Sequence, residues 1–406
     1  MLFRLFAACA AVLFGATPAF CAPAGPATVI VLSIDGFRAD YFDRGLTPTL
    51  AALAADGVHA TAMRPAFPSV TTPNHYTLMT GLYPDHHGVV DNMMRDPALP
   101  GAWFGGPDRT VYDDPRWWNE ATPLWVTARR AGLKTATSFW PGDEVLVQGV
   151  APDYREPDSR KTTTDQQVDH VLAWLDLPAG ERPSLVRIHF DMVDLAGHLY
   201  GPDTPQENAA ITAADAGVKR LIDGLKARGL YDKVDLIVVS DHGMAAIAPE
   251  RTVLLDDLID LSHVQIATYG AEAGVDPLPG HAAEIEKILL APHDHMTCWR
   301  RREIPAHLHY GSNPRVPAIF CLGQVGWSVI DRADAARYPK LAGNHGYDPA
   351  DPTMWAFFAA HGPAFRTGVV LPAFDSVDVY PMLAHLLGVR PERNDGHLAD
   401  LAAAMR

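Results

Sequence analysis

Short apolar runs alternate with amphipathic stretches along most of the chain. The first run, TVIVLSI at 28–34, is rich in β-branched residues and is not interrupted by charged ones. This pattern is typical of a strand that is buried on both faces of a sheet. Similar runs predict further strands at 134–139, 185–190 and 234–240.

Helical segments are predicted between and after these strands. The pairs Thr47-Pro48 and Thr122-Pro123 are each typical of a helix start, because proline fits the first turn. Apolar residues at helical spacing predict a long helix at 205–228 and a late one at 375–387. Because strands and helices alternate, we expect an α/β fold with a mostly parallel central sheet and helices on both faces.

One region departs from this alternation of strands and helices. Residues 245–329 contain many prolines and only short apolar pieces. We interpret them as a small inserted sheet or lid within a single domain that spans 25–406. Cys298 and Cys321 lie inside this insertion, where they fit either one disulfide in an oxidising compartment or two buried free thiols.

The N-terminus has the three parts of a secretory signal peptide. Arg4 supplies the positive charge, residues 5–15 the apolar stretch, and Ala22-Pro23-Ala24 a small-residue cleavage site. We therefore predict a signal peptide at 1–24 and an exported protein, periplasmic or secreted. A retained anchor is the alternative, although the apolar stretch is short for a stable membrane span.

The formal charge of −15 narrows the classes of partner that the chain is expected to bind. Binding to a nucleic-acid backbone needs clustered Lys and Arg, so an acidic chain is not expected to offer such a surface. A small anionic substrate remains compatible with this charge, provided that metal ions meet it in a pocket. The oligomeric state does not follow from the sequence.

Carboxylates and imidazoles follow several of the predicted strands. Ligands of parallel sheets bind beyond the carboxyl ends of the strands, so these positions matter most. The candidates are Asp35, Asp194, His198, Asp241, His242 and, in a later loop, His345. Each one alone is more commonly a helix cap or a turn former, and Asp191 competes with Asp194. Together, three Asp and three His suit two zinc ions with three ligands each.

The stretch FPSVTTPNHYTLMTG at 67–81 places two threonines side by side. It is either a loop that enters a helix or an elbow that presents a nucleophile. Proline at 73 predicts that the helix begins close to this point.

Seven motifs occur in an order that resembles the nucleotide pyrophosphatase/phosphodiesterase family of the alkaline phosphatase superfamily. They cover nearly the whole chain after the predicted signal peptide. They are Asp35-Gly36, PSVTTPNHYTLMTG, LYPDHHGVVDN, WPG at 140–142, D-x-x-G-H at 194–198, SDHGM and HGYD at 345–348.

The resemblance implies an alkaline-phosphatase-like fold with two zinc ions. It assigns one ion to Asp194, His198 and His345. It assigns the other to Asp35, Asp241 and His242, with contact to the nucleophile. In the family's S-x-T-x-P-N-H string the threonine is the nucleophile, which is Thr71 here, and Asn92 matches a hydrogen-bond donor to a phosphoryl oxygen.

This assignment predicts a defined chemistry. Coordination to a metal lowers the pKa of the Thr71 hydroxyl and makes it an attacking group. In-line attack on phosphorus gives a phosphothreonine, which water then hydrolyses. Two displacements predict retention of configuration at phosphorus.

The sequence departs from the family at Thr72. Members that favour nucleotides commonly have an aromatic residue directly after the nucleophile, and it stacks on the base. A threonine lacks that ring face, and stacking contributes about 1–3 kcal/mol per base. Tyr154 is a candidate for a second stacking face. Phosphodiesterase chemistry on a small-molecule phosphodiester is therefore better supported than a preference for nucleotides.

Other functions remain open at this stage. A sulfatase needs C-x-P-x-R, which Thr71-Thr72-Pro73-Asn74 does not match. A phosphomonoesterase or a phosphonate hydrolase of the same superfamily uses similar residues. The last alternative is a non-catalytic exported protein that binds the metals for structure.

Overall fold

The computed structural model describes residues 27–156, 161–337 and 340–406. The predicted signal peptide at 1–24 lies outside the described residues. The strands are β1 (Val29–Ile34), β2 (Val58–Ala60), β3 (Met63–Arg64), β4 (Thr135–Ser138), β5 (Tyr154–Arg155), β6 (Leu185–Phe190), β7 (Asp235–Val239), β8 (Ala245–Ala246), β9 (Thr252–Leu254), β10 (Val264–Thr268), β11 (Glu272–Pro277), β12 (Met296–Arg300), β13 (Ile319–Gly323), β14 (Ser328–Ile330), β15 (Gly343–Asn344), β16 (Phe358–His361), β17 (Val369–Leu371) and β18 (Phe374–Asp375).

The α-helices are α1 (Pro48–Asp56), α2 (Thr71–Thr80), α3 (Pro84–His87), α4 (Leu124–Arg130), α5 (Thr164–Leu175), α6 (Met192–Tyr200), α7 (Pro205–Ala227), α8 (Ala282–Leu289), α9 (Arg332–Arg337) and α10 (Val379–Leu386). The predicted late helix begins with a 3₁₀ turn over Ser376–Asp378 and continues as α10. None of the described helices is long and apolar enough to cross a membrane.

An eight-stranded sheet forms the centre, with the order β17-β2-β16-β7-β1-β6-β4-β5. β1 pairs in parallel with both β6 and β7, so that Val29 lies opposite Leu185 and Asp235. All six residues of β1 are buried. The expectation of a strand covered on both faces is confirmed.

Two hydrophobic clusters cover the two faces of the sheet. Val29 and Val31 pack into a cluster with residues of α2, α4 and α10. Ile30 and Leu32 point to the other face, into a cluster with residues of α1, α5 and α7. The predicted α/β class with a mostly parallel central sheet is confirmed.

Strand β16 runs against its neighbours. It pairs antiparallel with β7 on one side and with β2 on the other. The chain that enters β16 therefore lies where the parallel strands end: Ser240 N donates to Phe357 O at 3.0 Å, and Gly243 N to Met354 O at 2.9 Å.

The stretch predicted as an insertion carries a second, smaller sheet. Its four antiparallel strands have the order β10-β11-β13-β12 and enclose a hydrophobic cluster of their own with α8. Cys298 lies opposite Cys321 on β12 and β13, and a disulfide joins the two. The description of 25–406 as one domain with this insertion stays a prediction.

Candidate active site

Six predicted ligands meet at the carboxyl edge of β1, β6 and β7. Asp35 directly follows β1, and Asp194 and His198 lie one turn apart on α6, which follows β6. Asp241 and His242 follow β7, whereas His345 lies in the loop that leads to β16.

The first group of side chains contains Asp194, His198 and His345. Asp194 Oδ1 lies 3.5 Å from His198 Nε2 and 3.4 Å from His345 Nε2. The two imidazole Nε2 atoms are 3.1 Å apart. Asp191, the competing ligand, is exposed at the start of α6.

The second group contains Asp35, Asp241 and His242. His242 Nε2 lies 3.4 Å from Asp35 Oδ1 and 3.2 Å from Asp241 Oδ2. The rings of His242 and His345 stack with centroids 3.6 Å apart. The two groups therefore adjoin each other, as two neighbouring cations would require.

The donor atoms of both groups fit bound cations. One carboxylate oxygen of each aspartate is buried without a hydrogen-bond partner among the described residues: Asp35 Oδ1, Asp194 Oδ1 and Asp241 Oδ2. A buried carboxylate oxygen is costly to leave unpaired, so these three atoms indicate positive charge at the centre.

Backbone carbonyls orient the three imidazoles. The Nδ1 atoms of His198, His242 and His345 each lie 2.9 Å from a carbonyl oxygen, of Gly343, Gly243 and Ser69 respectively. If Nδ1–H donates there, the lone pair of Nε2 faces the centre. This is the usual outer support of a metal-binding histidine.

The electrostatics of the site follow from burial and from the crowding of like charges. Burial, and then repulsion from Asp241 and Asp194, raise the pKa of Asp35. Burial opposes ionisation of Asp241 too, but His242 and His75 lower its pKa below the ordinary value. Burial, and then His242 and His198, lower the pKa of His345, which keeps this imidazole neutral and able to bind a metal.

Two further histidines lie against the aspartates, and the sequence alone predicts no role for them. His189 Nε2 lies 2.9 Å from Asp35 Oδ2, and His75 Nδ1 lies 3.3 Å from Asp241 Oδ2. Burial lowers the pKa of His189 to about 3, so its ring is neutral, and its Nδ1 lies 3.1 Å from Phe139 O. Both were visible in the sequence, in the strings PNH and HFD, but a histidine inside a strand or helix carries no distinctive signal.

Thr71 is the first residue of α2 and points to the junction of the two groups. Its Oγ1 lies 3.2 Å from His242 Nε2. Thr71 is half-buried, whereas Thr72 is only 8% exposed. The N-terminus of α2 also directs positive potential toward this point, which favours an anion there.

Asn74 fixes the loop that leads into α2. Its Nδ2 lies 3.2, 3.0 and 2.9 Å from the carbonyl oxygens of Ala66, Pro68 and Val70. Its Oδ1 accepts from Ala66 N at 2.7 Å. One buried amide thus holds the backbone on which Thr71 is placed.

Asn92 lies beside the first turn of α2. Its Oδ1 accepts from the backbone N–H of Thr72 at 2.8 Å. This contact orients the side chain and leaves its NH₂ group as a donor. The half-buried position of Asn92 is compatible with contact to a ligand.

The structure does not bring Tyr154 to the site. Its hydroxyl donates to Glu181 O at 2.8 Å, in the loop before β6, and its ring stacks toward Trp174. Tyr154 therefore faces the amino end of the sheet, which explains why a stacking role there fails. Tyr112 is an aromatic residue near Thr72, and its ring stacks on Phe104.

A cavity of about 580 Å³ adjoins the site. Its walls come from the loop after Asn92 and from the insertion, and most of the side chains are apolar. They include Met93, Trp103, Ile247, Tyr269 and Asn344. Met93 and Asn344, the chain neighbours of Asn92 and His345, connect this cavity to the site.

Comparisons with known proteins show the family to which the chain belongs. The family described as type I phosphodiesterase / nucleotide pyrophosphatase matches residues 29–348. An uncharacterised pyrophosphatase/phosphodiesterase of Schizosaccharomyces pombe is 37% identical over 382 residues, covering 91% of this chain and 78% of the yeast protein. A bis(5'-adenosyl)-triphosphatase of Xenopus laevis is 32% identical, covering 92% of this chain and 80% of that protein.

A solved structure of murine ectonucleotide pyrophosphatase/phosphodiesterase 5 has the same fold. It is an inactive threonine-to-alanine variant in complex with AMP, 33% identical, with a TM-score of 0.89. The match covers 94% of this chain and all of the murine chain. The chain therefore belongs to the nucleotide pyrophosphatase/phosphodiesterase family of the alkaline phosphatase superfamily and is a phosphodiester hydrolase.

Proposed function

We propose that this protein is a zinc-dependent phosphodiesterase/pyrophosphatase that works through a phosphothreonine on Thr71. The observation that carries the proposal is the position of Thr71 Oγ1, 3.2 Å from His242 Nε2, where the two ligand groups adjoin. Thr72 lies one residue further on but is buried away from that junction.

Two zinc ions fit the donor set. Asp194, His198 and His345 would hold one, and Asp35, Asp241 and His242 the other. Imidazole nitrogen and carboxylate oxygen are ligands that zinc accepts. When bound, such ions supply the positive charge that lowers the pKa of a coordinated hydroxyl and neutralises charge on phosphoryl oxygens.

The proposed reaction has two steps, and both occur at Thr71. Thr71 Oγ forms a bond to phosphorus while the bond from phosphorus to the leaving oxygen breaks. The hydroxyl proton passes to solvent, and the leaving alcohol takes one up. Water next attacks the phosphothreonine, which releases the phosphate monoester and restores the Thr71 hydroxyl.

Asn92 and the N-terminus of α2 stabilise the phosphoryl group. The NH₂ group of Asn92 donates to a non-bridging oxygen, in the direction that its contact with Thr72 N sets. A fixed donor of this kind stabilises charge as it develops in the transition state.

The relatives support the threonine and a substrate of the nucleotide type. Murine ectonucleotide pyrophosphatase/phosphodiesterase 5 is inactive as a threonine-to-alanine variant, and that variant binds AMP. The Xenopus laevis relative is named for hydrolysis of a bis(5'-adenosyl) triphosphate. We propose a small-molecule phosphodiester of this class as the substrate, with base stacking that does not depend on Thr72.

We also propose that the protein is exported, to the periplasm or the outside of the cell. The disulfide between Cys298 and Cys321 supports this, because such bonds persist in oxidising compartments.

The test compares a phosphodiester with a phosphomonoester. Purified protein is stripped with a chelator, reloaded with zinc and assayed with bis(p-nitrophenyl) phosphate and with p-nitrophenyl phosphate. We expect the diester to be hydrolysed with the larger kcat/KM. A larger value for the monoester would instead identify a phosphomonoesterase, and turnover of an aryl phosphonate monoester alone a phosphonate hydrolase.

A second measurement addresses a role without catalysis. Zinc content is determined on the same samples by elemental analysis. No bound zinc and no turnover of either ester after zinc addition would overturn the enzyme assignment. A panel of nucleotide and lipid-headgroup phosphodiesters then ranks substrates.

A further inference from the structure

The cavity beside the site is lined by side chains that the proposed reaction does not use. Its volume of about 580 Å³ lies in the range of small-molecule sites. Half-buried apolar and aromatic side chains form much of the wall: Met93, Trp103, Ile247, Leu254, Tyr269 and Ile330. Apolar side chains that face an open cavity indicate a surface that an apolar group of a ligand covers.

The two aromatic rings of the wall have their polar atoms occupied. Trp103 Nε1 donates to Ala267 O at 2.9 Å, and the Tyr269 hydroxyl donates to Asp331 Oδ2 at 2.7 Å. The Arg95 guanidinium lies over the Trp103 ring, 4.6 Å from its centre. Because these donors are taken, the rings offer carbon surface to the cavity, which suits a flat or apolar group.

The loop that carries Trp103 is held against Asn92. Gly105 approaches Asn92 so closely that an added Cβ would lie 2.0 Å from the Asn92 carbonyl oxygen. Backbone hydrogen bonds of 3.2 and 3.0 Å between Met94 and Phe104 close this loop into a hairpin. The hairpin therefore fixes Trp103 relative to Asn92.

Asn344 joins the cavity to the other side of the site. Its Oδ1 accepts from the backbone N–H of His345 at 3.0 Å. A Cβ added at Gly270, which lines the cavity, would lie 3.6 Å from Asn344 Nδ2. No partner for this amide nitrogen lies within the described residues, so its NH₂ group remains a donor at the cavity wall.

In-line displacement indicates which ester group meets the cavity. Thr71 Oγ1 lies 3.2 Å from His242 Nε2, so the attacking oxygen is on the side of the ligand group that contains His242. The leaving oxygen departs opposite the attacking one, and we expect it on the side of the group that contains His345. Asn344 directly precedes His345, which places the leaving alcohol next to the cavity.

We propose that this cavity binds the leaving alcohol of the substrate and selects phosphodiesters in which that alcohol carries a flat aromatic or apolar group. This inference rests on the phosphodiesterase reaction proposed above and adds a class of leaving group to it. Trp103 and Tyr269 supply the surface that the group covers. Asn344 donates to an oxygen of the leaving alcohol.

The first arm of the test fills the cavity. Ala335 on α9 lines it, whereas its neighbour Ala336 is exposed and is not part of the wall. Zinc-loaded protein is assayed with methyl p-nitrophenyl phosphate, which has an aromatic leaving group, and with bis(2,2,2-trifluoroethyl) phosphate, which has a small one. We expect Ala335→Phe to lower the ratio of kcat/KM for the aryl ester to that for the alkyl ester by about 10-fold or more. Ala336→Phe is the matched control and keeps the wild-type ratio.

The second arm removes a ring face. Tyr269→Leu keeps an apolar side chain but loses the flat ring, and we expect the same ratio to fall about 3- to 10-fold, the size of effect of one aromatic contact. Tyr269→Phe restores the ring without the hydroxyl that binds Asp331, and it is expected to recover most of the loss. An equal loss in both variants would overturn the role of the ring.

Failure of this inference is distinguishable from failure of the proposed function. No turnover of p-nitrophenyl diesters by the wild-type protein would overturn the proposed function. Turnover with the wild-type ratio in Ala335→Phe and Tyr269→Leu overturns only the role of the cavity. An effect with bis(p-nitrophenyl) phosphate but not with methyl p-nitrophenyl phosphate also overturns it, because the cavity would then hold the retained alcohol. Circular dichroism and zinc content check each variant, and if Ala335→Phe does not fold, the Tyr269 pair decides.

Discussion

Two clusters of histidine and carboxylate in this chain look alike by composition. One is the six-residue group at the carboxyl edge of the central sheet. The other lies on the insertion and contains His263, His281 and Glu284, whose ligand atoms also lie within 4.8 Å of one another. They differ in burial and in what holds the rings.

The site cluster is the more buried of the two, and its rings are anchored. The exposed fraction of its side chains runs from 0% for Asp241 and His242 to 18% for Asp194 and 25% for His198. A backbone carbonyl oxygen lies 2.9 Å from Nδ1 of every predicted ligand histidine. In the insertion the side chains are 29, 34 and 55% exposed, and His263 Nδ1 has no hydrogen-bond partner among the described residues. No carbonyl therefore orients that ring for a metal.

Ring geometry separates the clusters further. His263 and His281 stack with centroids 3.7 Å apart and planes 24° apart. A ligand nitrogen binds an ion in the plane of its ring, so two nearly parallel rings do not converge on one ion. His242 and His345 also stack, but His242 Nε2 lies 3.2 Å from Asp241 Oδ2 and His345 Nε2 lies 3.4 Å from Asp194 Oδ1. Residue type alone does not define a metal centre.

The largest expected effect on kcat comes from substitution of Thr71. Thr71→Ala should lower kcat for a diester by at least about 10³-fold, since it removes the attacking group. Zinc content should remain near two per chain, because all six ligands stay. Thr71→Ser, which keeps a hydroxyl, should recover part of the rate. Near-normal turnover by Thr71→Ala together with loss in Thr72→Ala would show that the nucleophile is misassigned.

Removal of a ligand should have the next largest effect. Asp241→Asn weakens one group and leaves His75 and His242 without their carboxylate partner. We expect zinc content to fall below two per chain and kcat to fall about 10²- to 10³-fold. Elemental analysis and a diester assay on the same sample check both. Asp260→Asn, beside the insertion cluster, is the control and should change neither quantity.

Asn92→Ala should have a smaller effect on rate and none on metal content. Loss of one fixed donor to a transition-state oxygen lowers kcat by about 10²-fold in comparable sites. Steady-state kinetics with zinc in excess measure this loss. A drop in bound zinc would mean that Asn92 supports the ligands rather than the phosphoryl group.

The smallest effect is expected from the insertion cluster. His263→Gln and His281→Gln should leave zinc content unchanged and kcat within about twofold, as for most surface substitutions. The comparison breaks down if either variant loses one equivalent of tightly bound zinc. Burial and anchoring would then not distinguish a metal centre from a surface cluster in this protein.

The sequence predicts a large part of the fold and the site. Apolar runs locate β1, β6 and β7 within one or two residues, because parallel strands that are buried on both faces consist of near-continuous apolar residues. Polar residues directly after these strands locate Asp35, Asp241 and His242. The elbow at Thr71 follows from its position before Pro73.

Other features depend on long-range contacts that no local pattern reports. Tyr112, from a loop without a motif, is an aromatic residue near Thr72, whereas the hydroxyl of Tyr154 is taken by Glu181 O. The contact of His189 with Asp35 likewise joins segments that are far apart in sequence.

The pairing of β8 with β15 gives His345 an origin unlike that of the other predicted ligands. Asp35, Asp241 and His242 directly follow strands of the central sheet, whereas His345 directly follows β15, which pairs antiparallel with β8. The first 242 residues already contain five of the six predicted ligands. The proposed site is therefore complete only after the chain has passed through the insertion and returned to pair with β8.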